Sequence, residues 1–442
     1  MITIEDIKRL NYISYSSFRM FVKNPHHLIV CYALFLAKCL VFIILGIGKK
    51  RTLNEILFVA FTINNRKSIK TIIENMSNVS YSTWKNPRFD IPKGLIYLRS
   101  LKYFPLFQRF YNSSTYEDKR LIRTFYDSFM ATCGYCEIYD KMLKNNPQLK
   151  LIIFANDHSI ESRCLLDVAE KHGVKTLYVQ HASITERFPP LHFTYSFLDG
   201  IESYAKYKSI GDIKGRIFLT GSPRFDELYK YKNGLKTHDI GIALNSLDLC
   251  EKVMELCKYL QKHVSKKIIV RPHPSMGKLF DAPQFKNAGF EISDSTIESS
   301  FSFLSKVKYL VANESSIHLD AALMGVPSLL FNFSDGEVYD WYSYIKNGLI
   351  QLCDSYNDVI KVLKSHPLVP IKRVRFYNAS IQTPIEGEVG SFIANFITKL
   401  ITNSEAKAFQ AINEVMFLNK YYYELSEFPL GQNSSDKDAS RF

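Results

Sequence analysis

Short apolar runs alternate with helical patterns through the middle of this chain. The segments LKLIIFA (149–155) and VKTLYVQ (174–180) are compact apolar runs that favour buried strands. Between them, residues 159–173 place apolar side chains every three or four positions and end at Gly173, as an amphipathic helix does. Strands that alternate with helices predict right-handed βαβ units and a parallel sheet.

A second alternating series follows a polar and basic break at residues 229–238. It contains predicted strands DIGIALN (239–245), IIV (268–270), YLVA (309–312) and PSLLFNF (327–333), with helices expected at 248–263, 297–305, 315–324 and 356–365. Earlier in the chain, EILFVAFT (55–62) and the helical pattern after it predict a first β-loop-α unit, and residues 121–145 predict one long helix. Residues 80–120 give no clear pattern, and 384–425 favour helix.

The two series predict an α/β protein with two Rossmann-like domains, whose parallel sheets face each other across a cleft. At 442 residues the chain is long enough for two domains and appendages. We expect an apolar and basic N-terminal segment at 1–52, a first Rossmann-like domain at 53–232, a second at 233–383, helices that return to the first domain at 384–428, and a disordered tail at 429–442.

The N-terminal segment contains an unusually apolar stretch. Residues 28–48 carry one charge, Lys38, and are followed at once by Lys49, Lys50 and Arg51. The length suits a membrane span, but a central lysine costs about 2.5–3.5 kcal/mol on insertion scales. Insertion, interfacial docking and a buried helix all remain open. The basic flank favours a body at the cytoplasmic face of an anionic inner membrane.

Composition narrows the class of partner. The formal charge of +13 suits an anionic surface or a phosphorylated substrate. No nucleic-acid-binding motif appears and the lysines are dispersed, so no nucleic-acid partner is expected. The eight cysteines are scattered, which indicates reduced thiols in the cytoplasm, and the Cys133–Cys136 pair lacks a second pair at metal-site spacing. We predict neither a metal nor a cofactor.

Two loops of the second series carry candidate donor-binding residues. The strand IIV ends in Arg271, His273 and Pro274, which offer a guanidinium and an imidazole on a stiff turn. The alternative is a purely structural turn, in which the histidine caps a local backbone group and binds no ligand.

The next such loop follows YLVA at a predicted helix start. Ser315 and Ser316 suit either a phosphate or a plain helix cap, and Glu314 suits a ribose hydroxyl. Asp320, one turn on, is as well suited to solvent as to a ligand. Parallel strands bring such loops to one edge, where open α/β sheets bind nucleotides.

A third loop, TGSPRFDEL, follows the strand RIFL. Gly221 permits close backbone approach, and Ser222 and Arg224 can reach a phosphate. An ion pair of Arg224 with Asp226 is the structural alternative.

The first series ends two of its strands in candidate catalytic groups. Asp157 and His158 follow LKLIIFA, and His181 follows VKTLYVQ, with Glu186 five residues later. A transferase needs a general base for the attacking hydroxyl, and histidine or a carboxylate serves. The sequence does not choose between them.

These motifs together resemble a known group of enzymes. His273-Pro274 and Ser315-Ser316 resemble the HP and S/SS motifs of bacterial GT-B sialyltransferases, polysialyltransferases and Kdo transferases. TGSPRFDEL and Gln180-His181-Ala182 look like the corresponding loops of CDP-glycerol glycerophosphotransferases and capsule-synthesis glycosyltransferases. The likeness covers roughly residues 150–370. The chain departs at Leu198-Asp199-Gly200, which gives half of the acidic sialyltransferase motif, and at His181-Ala182, where teichoic-acid enzymes usually have His-Gly.

The resemblance implies a metal-independent glycosyltransferase of capsule or lipopolysaccharide synthesis. Its donor would be a nucleotide sugar, best a CMP-linked sugar acid such as sialic acid or Kdo, and its acceptor a glycan or lipid-linked glycan. The alternatives are a CDP-polyol phosphotransferase, an epimerase of the UDP-GlcNAc 2-epimerase type, and a non-catalytic nucleotide-binding scaffold. Fold analogy by itself does not decide among them.

Overall fold

A computed structural model describes most of the chain. It covers residues 2–11, 25–45, 52–185, 187–264, 267–277 and 280–410. The contacts between Cα atoms divide the chain into two compact units. Of the described residues, those up to Arg224 and those from Gln382 onward belong to the first unit, and Phe225–Ile381 form the second.

The first unit is built on a sheet of six parallel strands. Along the chain these are β1 (Ile56–Val59), β2 (Tyr81–Trp84), β3 (Leu151–Phe154), β4 (Lys175–Val179), β5 (His192–Leu198) and β6 (Lys214–Leu219). Their order across the sheet is β2-β1-β3-β4-β5-β6, and every neighbouring pair is parallel. β1 and β3 are buried along their whole length, as central strands covered on both faces must be.

Helices surround this sheet. They are α1 (Ile4–Leu10), α2 (Leu28–Ile44), α3 (Ile63–Glu74), α4 (Pro87–Asp90), α5 (Lys93–Ser100), α6 (Phe104–Ser113), α7 (Tyr116–Thr124), α8 (Tyr126–Lys144), α9 (Ile160–Lys171) and α10 (Ile201–Ile210). Ser159 caps α9 by accepting a hydrogen bond from the Ser162 N–H, so the chain turns directly from β3 into a helix.

The second unit repeats this plan with strands β7 (His238–Ala243), β8 (Ile268–Arg271), β9 (Glu291–Ile292), β10 (Val307–Ala312), β11 (Ser328–Phe331) and β12 (Gln351–Cys353). Their order is β12-β11-β10-β7-β8-β9, again all parallel. The helices are α11 (Cys250–Val264), α12 (Ala282–Asn287), α13 (Ser300–Ser305), α14 (Ile317–Leu323), α15 (Tyr356–Lys364) and α16 (Ile371–Tyr377). The prediction of an α/β protein with two parallel sheets is therefore confirmed.

The helix α17 (Val389–Thr402) belongs to the first unit. Its buried residues, including Ile393 and Phe396, share one apolar core with β1, β3 and β5. Gly390 allows the close approach to α3, because a Cβ there would lie 2.2 Å from the Thr71 hydroxyl. Residues 405–410 are also helical, and the rest of the helical prediction up to residue 425 falls outside the described residues.

Several predicted boundaries were wrong. The long helix at 121–145 is two helices, because Phe125 leaves helical geometry with φ −111° and ψ 32° between α7 and α8. The helices predicted at 297–305 and 315–324 begin later, at Ser300 and Ile317, because serine residues before them take the cap position.

The apolar N-terminal stretch has a mixed environment. α2 has 17 residues, and its buried side chains Cys31, Phe35 and Cys39 form a single stripe. Phe35 stacks on Tyr97 of α5 with ring centroids 4.8 Å apart. Among the residues described, no helix combines the length and the apolar character that a membrane crossing requires. Residues 46–51, including the basic triplet, fall outside the described residues.

Candidate functional site

Each sheet has a position where the chain changes direction across it. In the first sheet β1 lies between β2 and β3, and in the second β7 lies between β8 and β10. At such a switch point the loops that leave the carboxyl ends of the two central strands diverge and form a crevice, where open α/β sheets bind ligands. The loops after β3 and β10, which carry Asp157-His158 and Glu314 to Ser316, both lie at switch points.

In the first unit, Asn156 connects the two candidate histidines. Its side-chain oxygen accepts a hydrogen bond from the His158 backbone N–H at 2.6 Å, which leaves its amide group to donate. That amide lies 3.4 Å from the His181 Nε2 atom. The rings of His158 and His181 meet at a centroid distance of 5.5 Å, and Phe188 packs edge-on to His158 at 4.2 Å.

Burial keeps both imidazoles neutral at physiological pH. Burial, together with the neighbouring His158 and the charge of Arg224, lowers the pKa of His181 to about 3. Burial also lowers the pKa of His158, and the neighbouring Asp157 carboxylate opposes that change. His158 is thus the better proton acceptor by its charge environment. Its Nε2 atom is buried and has no hydrogen-bond partner among the described residues.

The carboxylates predicted beside these histidines differ in what they do. Asp157 is buried and forms a 3.0 Å ion pair with Arg163, so it acts on His158 through its charge. Glu186 falls outside the described residues.

Sequence reasoning missed a second carboxylate pair at the end of β5 and the start of α10. Burial raises the pKa of Asp199 to about 6 despite the nearby Arg224, whose guanidinium lies 3.3 Å from the carboxylate. Burial likewise raises the pKa of Glu202 to about 7, although Lys206 pairs with it. The position of Asp199 before Gly200 at a strand end was the available signal.

The third predicted loop lies beside this pair. Gly221 adopts φ +77°, a conformation that favours glycine, and Ser222 is buried. Arg224 pairs with Asp199, a partner that the sequence did not suggest.

A pocket of about 380 Å³ reaches His158. Its wall contains polar groups that bond to one another: Lys93 pairs with Glu161 at 3.1 Å, and Tyr97 donates to Asp127 at 2.8 Å. Lys38 of α2 also pairs with Asp127, at 3.1 Å. The pocket therefore joins the carboxyl edge of the first sheet to the apolar N-terminal helix.

In the second unit, Arg271 is turned inward. Its guanidinium donates to the Ser293 hydroxyl and to the Glu298 carbonyl, both at 2.7 Å, and the side chain is buried. These bonds tie β8 to the segment after β9, so at least two of its five donors serve the fold.

His273 is exposed and oriented. The Ser275 backbone N–H donates to its Nδ1 atom at 3.2 Å, and the Ser275 hydroxyl lies 2.7 Å from the same atom. Because an N–H can only donate, Nδ1 is the acceptor and the proton of the neutral ring is on Nε2. His273 and the adjacent Pro274 thus present an N–H donor to solvent at the end of β8.

Buried hydrogen bonds hold the start of the loop after β10 in place. Asn313 donates to Asp248 of the β7 loop at 2.7 Å, and buried His318 donates from Nε2 to the Asn313 carbonyl at 2.9 Å. Burial lowers the pKa of His318 to about 4, so it stays neutral in this role. The Glu314 carboxylate accepts from the backbone N–H groups of Tyr339 and Trp341.

The two serines take different positions. The Ser315 hydroxyl accepts from the Ile317 N–H at 3.3 Å and so serves as a cap. Ser316 is the N-cap residue of α14 by position, but its exposed side chain makes no capping hydrogen bond. Asp320 accepts from the Ser300 hydroxyl at 3.2 Å and links α14 to α13.

Among the described residues, no cluster of three or more histidine, cysteine or acidic side chains is arranged to hold a metal ion.

Comparison with known proteins found structural similarity at low sequence identity. No family model and no curated protein matches the chain. A UDP-GlcNAc 2-epimerase of Methanocaldococcus jannaschii, solved with UDP-GlcNAc and UDP, aligns with TM-score 0.45 and 12% identity over 78% of this chain and 99% of that one. The Neisseria meningitidis enzyme bound to UDP-GlcNAc aligns with TM-score 0.44 and 11% identity over 78% and 99%. The wall teichoic acid polymerase TagF aligns with TM-score 0.39 and 14% identity over 61% and 85%. At these values the similarities do not assign an activity to this chain.

Proposed function

We propose that this chain is a metal-independent glycosyltransferase of the GT-B type that uses a nucleotide-activated sugar. One observation carries the proposal: the two halves have the same doubly wound plan, and candidate proton-transfer groups and candidate donor-binding groups lie at the switch point of one sheet each. The HP and SS motifs favour a CMP-linked sugar acid as the donor.

The second unit would hold the nucleotide. His273 offers an N–H from Nε2, and the exposed Ser316 offers a hydroxyl that no cap bond occupies. Both donate well to phosphate oxygens, and such donors stabilise the charge that develops on a leaving nucleotide. Arg271, whose donors are engaged inside the fold, would hold the loop in place instead of binding the phosphate directly.

His158 would be the general base. The acceptor hydroxyl oxygen attacks the anomeric carbon, its proton passes to His158, and the bond from that carbon to the phosphate oxygen breaks with its electrons on the leaving nucleotide. A neutral imidazole is required for this step, and burial lowers the pKa of His158 so that the neutral form prevails. The pocket beside His158, with its lysine, tyrosine and carboxylate groups, suits a hydroxyl-rich glycan acceptor.

The acceptor would be presented at an anionic membrane surface. α2 exposes apolar side chains along most of its length, among them Ile29 at 71%, Leu40 at 61% and Ile44 at 80%. Lys49, Lys50 and Arg51 follow in the sequence, and such a combination of apolar face and basic residues binds anionic bilayers in the interfacial plane. A cytoplasmic enzyme at the inner face of the membrane, acting on a lipid-linked glycan, fits this chemistry.

The donor proposal is tested by nucleotide titration. Calorimetry with CMP, CDP, UDP and GDP, with and without EDTA, should give cytidine-nucleotide binding that EDTA does not change. Preference for UDP or GDP would overturn the donor, and absence of binding to all four nucleotides would overturn the proposed function. Product analysis then separates a glycosidic bond from the phosphodiester of a polyol-phosphate transferase.

The membrane proposal is tested by vesicle flotation. The intact chain should float with vesicles that contain phosphatidylglycerol, and Leu40→Ser with Ile44→Ser should reduce the bound fraction about tenfold or more, because two apolar side chains no longer leave water. Unchanged flotation of this double variant would contradict docking through α2. Thr402→Ser, on the exposed side of α17, is a control that should not change flotation.

A further inference from the structure

A pair of exposed aromatic side chains lies beside the donor loops of the second unit. Tyr339 and Trp341 belong to the loop that leaves the carboxyl end of β11, the strand next to β10. Their ring centroids are 5.3 Å apart at an interplanar angle of 38°, and the two residues are 63% and 48% exposed. Large aromatic side chains normally leave water on folding, so an exposed pair beside a ligand crevice needs an explanation.

The position of this pair is set by the donor loop itself. The Glu314 carboxylate accepts hydrogen bonds from the backbone N–H groups of both Tyr339 and Trp341. Glu314 directly precedes Ser315 and Ser316, so the aromatic loop is attached to the segment proposed to bind phosphate. The sequence suggested a ribose contact for Glu314, whereas its carboxylate holds this loop.

The loop is also held from its other end. Asp340, between the two aromatic residues, has φ +49°, and its carboxylate accepts from the backbone N–H groups of Ile345 and Lys346 at 3.1 and 2.9 Å. Its carbonyl accepts from the Ser343 N–H at 2.7 Å. These bonds fix the backbone on which the two aromatic side chains stand, which lowers the entropy cost of binding.

The loop after β7 also exposes one large apolar side chain. Leu247, in the loop after β7, is 76% exposed, and Asn245 of the same loop donates to the Glu314 carbonyl at 3.3 Å. Because β10 lies between β11 and β7, the residues around Glu314 have apolar groups from both neighbouring loops.

We infer that Tyr339 and Trp341 form the nucleobase subsite of the donor, with the base stacked on the aromatic pair and the phosphate toward Ser316 and His273. A planar ligand is favoured because aromatic faces stack on bases regardless of their hydrogen-bonding edges. The anionic part of the same ligand meets the hydroxyl and N–H donors of the adjacent loops. This inference rests on the proposed nucleotide-binding function and names the part of the site that recognises the base.

The sequence contains two tryptophans, and this allows a direct optical test. Trp84 is 3% exposed and lies in β2 of the first unit, whereas Trp341 is the exposed one. In a Trp84→Phe protein, titration with CMP should quench the remaining fluorescence. The quenching should be half-complete at the dissociation constant measured by calorimetry. Ribose 5-phosphate, which has the phosphate but no base, should leave the fluorescence unchanged.

Calorimetry on variants of the full-length wild-type chain tests the same point without the Trp84 change. Trp341→Leu should weaken CMP binding about tenfold or more, the size of one lost base–aromatic stack, while Trp341→Phe should retain most of the affinity. Both variants should bind ribose 5-phosphate as the wild type does.

The outcomes separate the inference from the proposed function. If CMP binds the wild type and Trp341→Leu with equal affinity, the nucleotide site stands and the stacking subsite is wrong. If no nucleotide binds the wild type, both are wrong, and the aromatic pair would belong to a contact with another macromolecule.

Discussion

The carboxyl edges of the two sheets have the same topology but opposite chemistry. At the first edge the ionisable groups are buried: His158, His181, Asp199 and Glu202 all have pKa values displaced by burial toward the neutral form. At the second edge the candidate groups, such as His273 and Ser316, face solvent, and the buried His318 and Arg271 support the loops. Burial keeps the two histidines neutral and moves the pKa values of the two carboxyls toward neutral pH, whereas exposure leaves donors ready for an anion. One plan can therefore supply both proton transfer and ligand binding.

The strongest test of this contrast is the loss of the proposed base. His158→Ala should lower kcat by about 10²–10⁴-fold, the usual contribution of a general base, and leave the Kd for CMP unchanged because the donor loops lie in the other unit. In the wild type, the acidic limb of the pH–rate profile should lie below pH 6.5. Burial lowers the pKa of His158, so its imidazole stays neutral until the pH falls to that lowered value.

His26→Ala, an exposed histidine of the same unit, is the matched control and should retain full kcat. If His158→Ala leaves kcat unchanged, His158 is not the general base, and the proposed proton-transfer role of the first sheet's carboxyl edge is wrong.

The buried histidines predict a second, smaller difference in acid stability. The folded pKa of His318 is about 4 against an ordinary value of 6.5, so its contribution is present above pH 6.5 and is lost as pH falls toward 4. Between pH 7 and pH 5 this loss is about 2 kcal/mol. In the first unit, His158 and His181 act in the same direction. Asp199 and Glu202, whose pKa values are raised, act in the opposite direction because they favour folding as pH falls below about 7.

Acidification to pH 5 should therefore speed hydrogen exchange in β10 and β11 more than in β3 and β4, after correction for intrinsic rates. In His318→Gln the extra effect in β10 and β11 should disappear. Equal acceleration in both sheets of the wild type would contradict the assigned balance of charges.

The smallest effect belongs to the exposed donors. His273→Ala should weaken CMP binding about tenfold, because one charge-assisted hydrogen bond contributes on the order of 1.5–3 kcal/mol before solvent competition reduces it. His263→Ala, an exposed histidine at the end of α11, should bind CMP normally. If His273→Ala binds CMP with full affinity, His273 does not contact the nucleotide and its loop is only a structural turn.

The pattern of the sequence was sufficient to predict the class of fold, but it did not predict the edge strands or every helix boundary. The central strand β3 is a continuous, fully buried apolar run, and β10 contains the apolar run YLVA, so the pattern alone located both strands. The edge strands β2 and β12 were missed, since an edge strand such as Tyr81–Trp84 buries only one of its four residues. The helix break at Phe125 was also missed, because no glycine or proline lies next to it in the sequence.

For the candidate site, sequence supplied the residue types and their order along the chain. The motifs at 271–274 and 314–316 were found because short polar groups interrupt apolar strands at fixed positions. Their roles as predicted ligands remain predictions, and the geometry changes how several of them would act. Arg271 bonds within the fold, Ser315 caps a helix, and Glu314 holds the aromatic loop.

What the sequence by itself determined is the alternation of apolar strands and amphipathic helices, and with it two parallel sheets whose loops carry histidines, serines and acids. What the tertiary structure decided is the environment of each of those groups. The sequence shows half of a motif at Asp199 but no sign of its raised pKa, Glu202 looks like an ordinary acid, and Tyr339 and Trp341 look like ordinary core residues. Burial depends on residues that are distant along the chain, and burial sets both the pKa of an acid and the exposure of a ring. A local pattern records neither of these quantities.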